Sequence, residues 1–183
     1  MRKLRTLMVT LLATSGAIAA PLMLAQPSYA ASSGPYVIEN QTDGLCLTNP
    51  APEGSGGAQL VLEPCTGLVN QEWWIFTSIN NIYTIENVQS PFDCLDAPVN
   101  TDFGIVETFP CQNISNQNWS PGFGPPFTDQ RIVSLVGGTG ATHRCLDVSH
   151  GNIVAGGVVG LYRCFGSDNG AQEWTAITAS NLP

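Results

Sequence analysis

The chain repeats one pattern three times, and that repetition restricts its fold more than any single motif does. Tyr36-Val37-Ile38-Glu39-Asn40 precedes Cys46-Leu47, and Tyr83-Thr84-Ile85-Glu86-Asn87 precedes Cys94-Leu95. A weaker third copy, Arg131-Ile132-Val133-Ser134-Leu135, precedes Cys145-Leu146. Each copy runs on to a second cysteine (Cys65, Cys111, Cys164) and then to a Gln-x-Trp triplet: Gln71-Glu72-Trp73, Gln117-Asn118-Trp119 and Gln172-Glu173-Trp174. A repeat of roughly fifty residues cannot bury its apolar face alone, so the copies must pack on one another.

Within the copies the apolar or alternating pieces are short. Tyr36–Glu39, Ala58–Leu62, Trp74–Phe76, Tyr83–Glu86, Ile105–Phe109, Ile132–Leu135, Val158–Tyr162 and Trp174–Ile177 are bounded by Gly, Pro, Asn and Asp, and they predict strands. No run of ten or more residues keeps a helical period after the N-terminal segment. An all-β fold follows. Three copies are few for a propeller, so a closed barrel of three lobes is expected.

The first thirty residues read as an export signal and not as part of that fold. Arg2, Lys3 and Arg5 form a charged start, Leu7 to Ala20 an apolar run, and Ser28-Tyr29-Ala30 a small-residue cleavage site. Cleavage after Ala20 is an alternative, and residues 25–34 are expected to be unstructured either way. Thr10, Thr14, Ser15, Gly16 and Pro21 interrupt the apolar run, which argues against a membrane anchor. Residues 31–183 then form one domain, with lobes at about 34–79, 80–127 and 128–180.

The exported part keeps three arginines, no lysine and all fourteen acidic residues, a formal charge of −11. Nucleic acid and insertion at an anionic membrane are excluded as partners, since both need a basic patch. All six cysteines lie in this part, an even number that favours disulfides over metal ligation or thiol chemistry. Six cysteines allow fifteen pairings. The repeats choose among them: separations of 19, 17 and 19 residues pair Cys46 with Cys65, Cys94 with Cys111, and Cys145 with Cys164. Each bridge closes a loop worth about 3 kcal/mol.

Cysteine-Leu-Asp in two of the copies, a second cysteine some eighteen residues on in each, and Gln-x-Trp three times in register resemble the ricin B-chain-like β-trefoil lectins, including bacterial carbohydrate-binding modules of that type. The resemblance spans residues 34–178 and implies a β-trefoil. Trp73, Trp119 and Trp174 are read as core residues at the base of each lobe, with the neighbouring Gln amide satisfying buried backbone and orienting a side chain.

In that family a sugar is held by the Asp two residues after the first cysteine, the Asn before Gln-x-Trp, and an aromatic two residues before the second cysteine. A Gln four residues before that cysteine often assists. The middle lobe matches best, with Asp96, Phe109, Asn116 and Gln117; Glu107 replaces the assisting Gln and, when ionised, can only accept. The third lobe has Asp147, Tyr162 and Gln172, but Gly160 and Ala171 replace the assisting residue and the Asn, and Asn169 is the candidate to reach in from a longer loop. A weakened site is expected there. The first lobe has Thr48 and Glu63 where Asp and the aromatic belong, and is expected to be silent although Asn70 is kept. Asx turns and sheet packing are the competing roles for Asp96, Asp147, Phe109 and Tyr162.

No nucleophile elbow, zinc-protease helix, phosphate loop or calcium loop occurs, so neither enzymatic activity nor a cofactor or metal is expected. His143 and His150 flank Cys145 in a Gly-rich stretch and are expected to be solvated. The export signal makes a secreted, extracellular protein the expectation, and the resemblance implies a module binding galactose- or xylan-like glycans. Association with a separately encoded enzyme or toxin subunit stays open. The competing reading is a trefoil that binds a protein partner, its sugar sites decayed at Thr48, Glu63, Glu107 and Ala171.

Overall fold

The computed structural model describes residues 31–52, 55–121, 127–137, 142–165 and 169–182. Residues 1–30, which the sequence leads one to expect as an export signal, lie outside the described residues. Among the described residues there are thirteen strands and no α-helix: β1 (Ala31–Asn40), β2 (Leu45–Thr48), β3 (Val61–Pro64), β4 (Glu72–Thr77), β5 (Tyr83–Asn87), β6 (Asp93–Asp96), β7 (Glu107–Pro110), β8 (Trp119–Pro121), β9 (Phe127–Gln130), β10 (Ile132–Ser134), β11 (Arg144–Val148), β12 (Val159–Arg163) and β13 (Trp174–Thr178).

The strands sort into a barrel and three hairpins. β13 pairs with β1, β1 with β4, β4 with β5, β5 with β8 and β8 with β10; β9, just ahead of β10, returns to β13 and closes the ring. The hairpins β2–β3, β6–β7 and β11–β12 each hold one copy's cysteines, and the three disulfides are Cys46–Cys65, Cys94–Cys111 and Cys145–Cys164. This is the closed three-lobed barrel that the repeats imply, and the β-trefoil that the resemblance implies.

Five strands were not expected from the sequence: β2, β6, β8, β9 and β11. Three of them carry the first cysteine of a copy. They are four or five residues long and each has a polar residue at one end or both, so they are too short to show an apolar period of their own and form because a hairpin partner and a disulfide fix them. Ala31–Ser33, expected to be unstructured, pair instead with Thr77–Ile75 of β4. Two expected strands begin late. Ala58–Leu62 resolves into β3 preceded by a bridge from Gln59 to Glu107, and Ile105–Phe109 into β7 preceded by a bridge from Ile105 to Gly160. The first half of each piece serves the next lobe before the chain folds back into its own hairpin.

This relay runs round the molecule. The amide of Gly57 donates to Thr108 O, that of Phe103 to Leu161 O, and that of Gly156 to Leu62 O. Lobe one leans on lobe two, two on three, and three on one.

Trp73, Trp119 and Trp174 are fully buried, as expected, and pack with Ile38, Ile85, Ile132, Leu47, Leu95 and Leu146. Each indole N–H donates to the carbonyl of the leucine after a first cysteine: Leu47, Leu95 and Leu146, at 3.2, 2.9 and 3.1 Å. The third copy begins one residue earlier than its sequence suggests. Val133, not Ser134, faces the first cysteine as Glu39 and Glu86 do, so Ile132 takes the core place of Ile38 and Ile85. Period-two alternation makes this a choice between inside and outside, and Ile132 is the buried one.

Candidate functional site

Hairpin register explains why the site residues recur at fixed offsets from the cysteines. Cys46 faces Glu63, Cys94 faces Phe109 and Cys145 faces Tyr162; two residues on, Thr48 faces Val61, Asp96 faces Glu107 and Asp147 faces Gly160. Positions two apart on a strand share a face, so each hairpin presents its Asp position beside its aromatic position. The residues in these places decide what each lobe can hold.

Behind the Asp position stands the glutamine of Gln-x-Trp, the last residue of a short 3₁₀ turn (69–71, 115–117 and 170–172). Gln71, Gln117 and Gln172 are buried, and each donates to the carbonyl before the second cysteine: Pro64 at 2.9 Å, Pro110 at 2.9 Å and Arg163 at 3.0 Å. The side-chain oxygen Oε1 of each glutamine accepts the N–H of the residue after that cysteine: Thr66, Gln112 or Phe165. The remaining donor turns to the Asp position. Gln172 meets Asp147 Oδ2 at 2.9 Å, Gln117 bonds Asp96, and Gln71 meets Thr48 Oγ1 at 3.0 Å. Gln117 and Gln172 therefore orient the carboxylates from behind and have no amide hydrogen left for a ligand.

In the third lobe these parts border a pocket of about 390 Å³. Asp147 is 5% exposed, at its floor. Burial pushes its carboxyl up to about 6, against the opposing pull of the Gln172 hydrogen bond and the nearby His150. Tyr162 and Phe165 form one wall, with ring centroids 5.4 Å apart. Arg163 steadies that wall, its guanidinium 5.2 Å from the centre of the Tyr162 ring and Nη2 donating to Tyr162 Oη at 3.1 Å. Asn169 lines the pocket from the longer loop; its Oδ1 accepts the Ala171 N–H, which leaves the amide donors for the cavity.

Three further residues of this site were not placed in it by sequence. Phe103 and His150 line the pocket and stack at 4.4 Å with planes 9° apart, and Phe103 also meets Tyr162 at 4.9 Å. His150 is exposed, as expected, but it is part of the site. Asp102 holds the Phe103 loop in place: Oδ1 accepts the Arg163 N–H at 3.0 Å and lies 2.7 Å from Arg144 Nε. Gly160 explains its own departure from the family pattern. A Cβ there would stand 2.7 Å from Gly104 O, because the middle lobe's loop fills the space of the assisting side chain.

The middle lobe is more open. Asp96 is 3% exposed and raised by burial, while Glu107, across the hairpin, is raised by burial and by the charge of Asp96. Phe109 is 39% exposed, and Asn116 accepts the Ala97 N–H through its backbone carbonyl at 2.9 Å. In the first lobe Thr48 donates to Cys46 O and accepts from Gln71, so a turned-in hydroxyl stands where a carboxylate would. Among the described residues no group of three or more His, Cys, Asp or Glu could hold a metal ion.

Residues 26–105 match the model of a family described as ricin-type beta-trefoil lectin domain-like. No curated protein sequence matches the chain. The fold is similar to that of ThreeFoil, a designed three-fold symmetric protein (TM-score 0.66, 21% identity, 78% of this chain and 96% of that one). It is also similar to the C-half of the earthworm R-type lectin, solved in complex with GalNAc (TM-score 0.56, 18% identity, 77% and 95%). A third likeness is to an exo-beta-1,3-galactanase from Clostridium thermocellum (TM-score 0.67, 21% identity), where 78% of this chain matches 30% of that one. The resemblance to ricin-type β-trefoil lectins read from the cysteines and the Gln-x-Trp triplets thus holds in sequence over residues 26–105 and in fold.

Proposed function

We propose that this protein is an exported carbohydrate-binding module, without enzymatic activity of its own, that takes galactose- or xylan-like glycans in its third lobe and more weakly in its middle lobe. The observation that carries this reading is Asp147: a carboxylate aimed by Gln172 at the floor of a cavity whose wall is Tyr162 and Phe165. A carboxylate accepts two sugar hydroxyls, Asn169 can donate to a third, and an aromatic face takes the C–H surface of the ring. The order of the lobes departs from the sequence expectation. Asp96, Phe109 and Asn116 give the middle lobe the fuller set of matching residues, with Glu107 in place of the assisting Gln, but Asp147, Tyr162 and Asn169 border the pocket.

One sugar in one such pocket corresponds to millimolar affinity, near 4 kcal/mol, and a second usable lobe raises retention on a polymer. Export by residues 1–30 fits the three disulfides, which persist in oxidising compartments.

Retention of the exported chain on immobilised lactose and on insoluble xylan tests the reading, with Asp147→Ala and Asp96→Ala run beside it. The expected result is retention that Asp147→Ala abolishes and Asp96→Ala weakens. No retention on either matrix would overturn the proposal in favour of a trefoil that binds a protein partner.

A further inference from the structure

The three lobes can be aligned through their relay bonds, and the alignment isolates one residue. Gly57, Phe103 and Gly156 each donate a backbone N–H to the next lobe's hairpin, and each lies two residues before the bridging residue Gln59, Ile105 or Val158. All three have positive φ: +85° at Gly57, +63° at Phe103 and +79° at Gly156. Two lobes fill this position with glycine, which adopts such a backbone freely. The middle lobe fills it with a bulky aromatic, for which the conformation is strained. Strain kept at one of three equivalent positions points to a use for the side chain.

The use follows from where the ring lies. Phe103 is half exposed, stacks on His150 and abuts Tyr162, which in turn meets Phe165. Four rings, with successive centroids 4.4, 4.9 and 5.4 Å apart, therefore form a continuous strip along the third-lobe pocket. Tyr162 beside Asp147 is the platform for one sugar. Phe103 and His150 prolong the strip past it, and Phe103 comes from another lobe. The loop that delivers it is anchored by Asp102 to two of the three arginines of the exported chain, Arg144 and Arg163, so the ring is held in position.

We propose that Phe103, with His150, forms a second sugar subsite shared between two lobes, so that the third-lobe site selects glycans of two or more linked units over single sugars. This rests on the carbohydrate-binding reading above.

The test is a calorimetric or NMR titration of the exported chain and its Phe103→Gly variant with galactose, lactose, xylose and xylotriose. Glycine is the residue of the two equivalent positions, so the variant is expected to fold, with a thermal midpoint equal to or above that of the parent. The parent should prefer lactose to galactose and xylotriose to xylose. In the variant that preference should fall about three- to tenfold, the scale of one aromatic contact. His150→Gly should shift the preference in the same direction with the Phe103 backbone untouched, glycine being suited to the positive φ of 61° at His150. An unchanged preference in both variants, or an equal loss for single and linked sugars, overturns the second subsite while leaving the module's sugar binding in place. Absence of binding by the parent to all four sugars overturns the carbohydrate reading itself, and this inference with it.

Discussion

At the scale of single residues, the proposed sugar site gives Asp147 a stability contribution and a binding role that depend on pH with opposite signs. Its carboxyl is raised from 3.8 to about 6, chiefly by burial, so the folded protein holds a proton there that the unfolded chain has released. Stability from this group is complete below about pH 4 and is lost as the pH rises through 6. Sugar binding needs the ionised acceptor, and so should grow over the same interval. Asp147→Asn is therefore expected to raise the thermal midpoint at pH 7 and to change it little at pH 4, while weakening retention on lactose at pH 7 about tenfold or more, as for a lost charge-assisted hydrogen bond. Paired melting curves at the two pH values, with retention alongside, check both signs. Asp147 was legible in the sequence because the cysteine two residues before it marks its place in the repeat. His150 and Phe103 were not. Their contact joins residues 47 positions apart in two lobes, and spacing along one repeat carries no information about it.

At the scale of elements, the hairpins show what an offset from a cysteine can and cannot tell. Glu107 and Gly160 occupy equivalent places, each opposite the site carboxylate. Sequence comparison marks both as missing an assisting glutamine, but the two departures have different causes. Glu107 is half-buried beside Asp96, whereas Gly160 is fully buried under the carbonyl of Gly104. Glu107→Gln is accordingly expected to leave stability within about 0.5 kcal/mol, the range of substitutions clear of the core. Gly160→Gln should cost about 1–3 kcal/mol through overpacking and displace the Phe103 loop. Denaturant unfolding of the two variants measures the difference, and equal costs would show that the loop does not occupy that space. The unexpected strands β2, β6 and β11 teach the same lesson. Their order comes from partners across the hairpin and not from any period within four or five residues.

At the scale of the whole molecule, each disulfide closes within a single lobe and the barrel strands close the lobes on one another. Replacing Cys145 and Cys164 together by Ser should therefore lower stability by about 3 kcal/mol and leave the other two bridges intact, which chemical denaturation and a free-thiol count would show. Short apolar pieces without a helical period determined the all-β class, and three copies of one cysteine, Gln and Trp pattern determined the three lobes, the pairing of the cysteines and the burial of Trp73, Trp119 and Trp174. They could do so because a repeat too small to bury its own face must pack on its neighbours, and because equivalent copies close equivalent loops. The tertiary structure alone decided the rest: the one-residue register of the third copy, the pairing of Ala31–Ser33 with β4, and the pocket that joins Phe103 of the middle lobe to Asp147 and Tyr162 of the third. Each of these is a contact between separate segments of the chain, and such contacts are set by packing and not by local pattern.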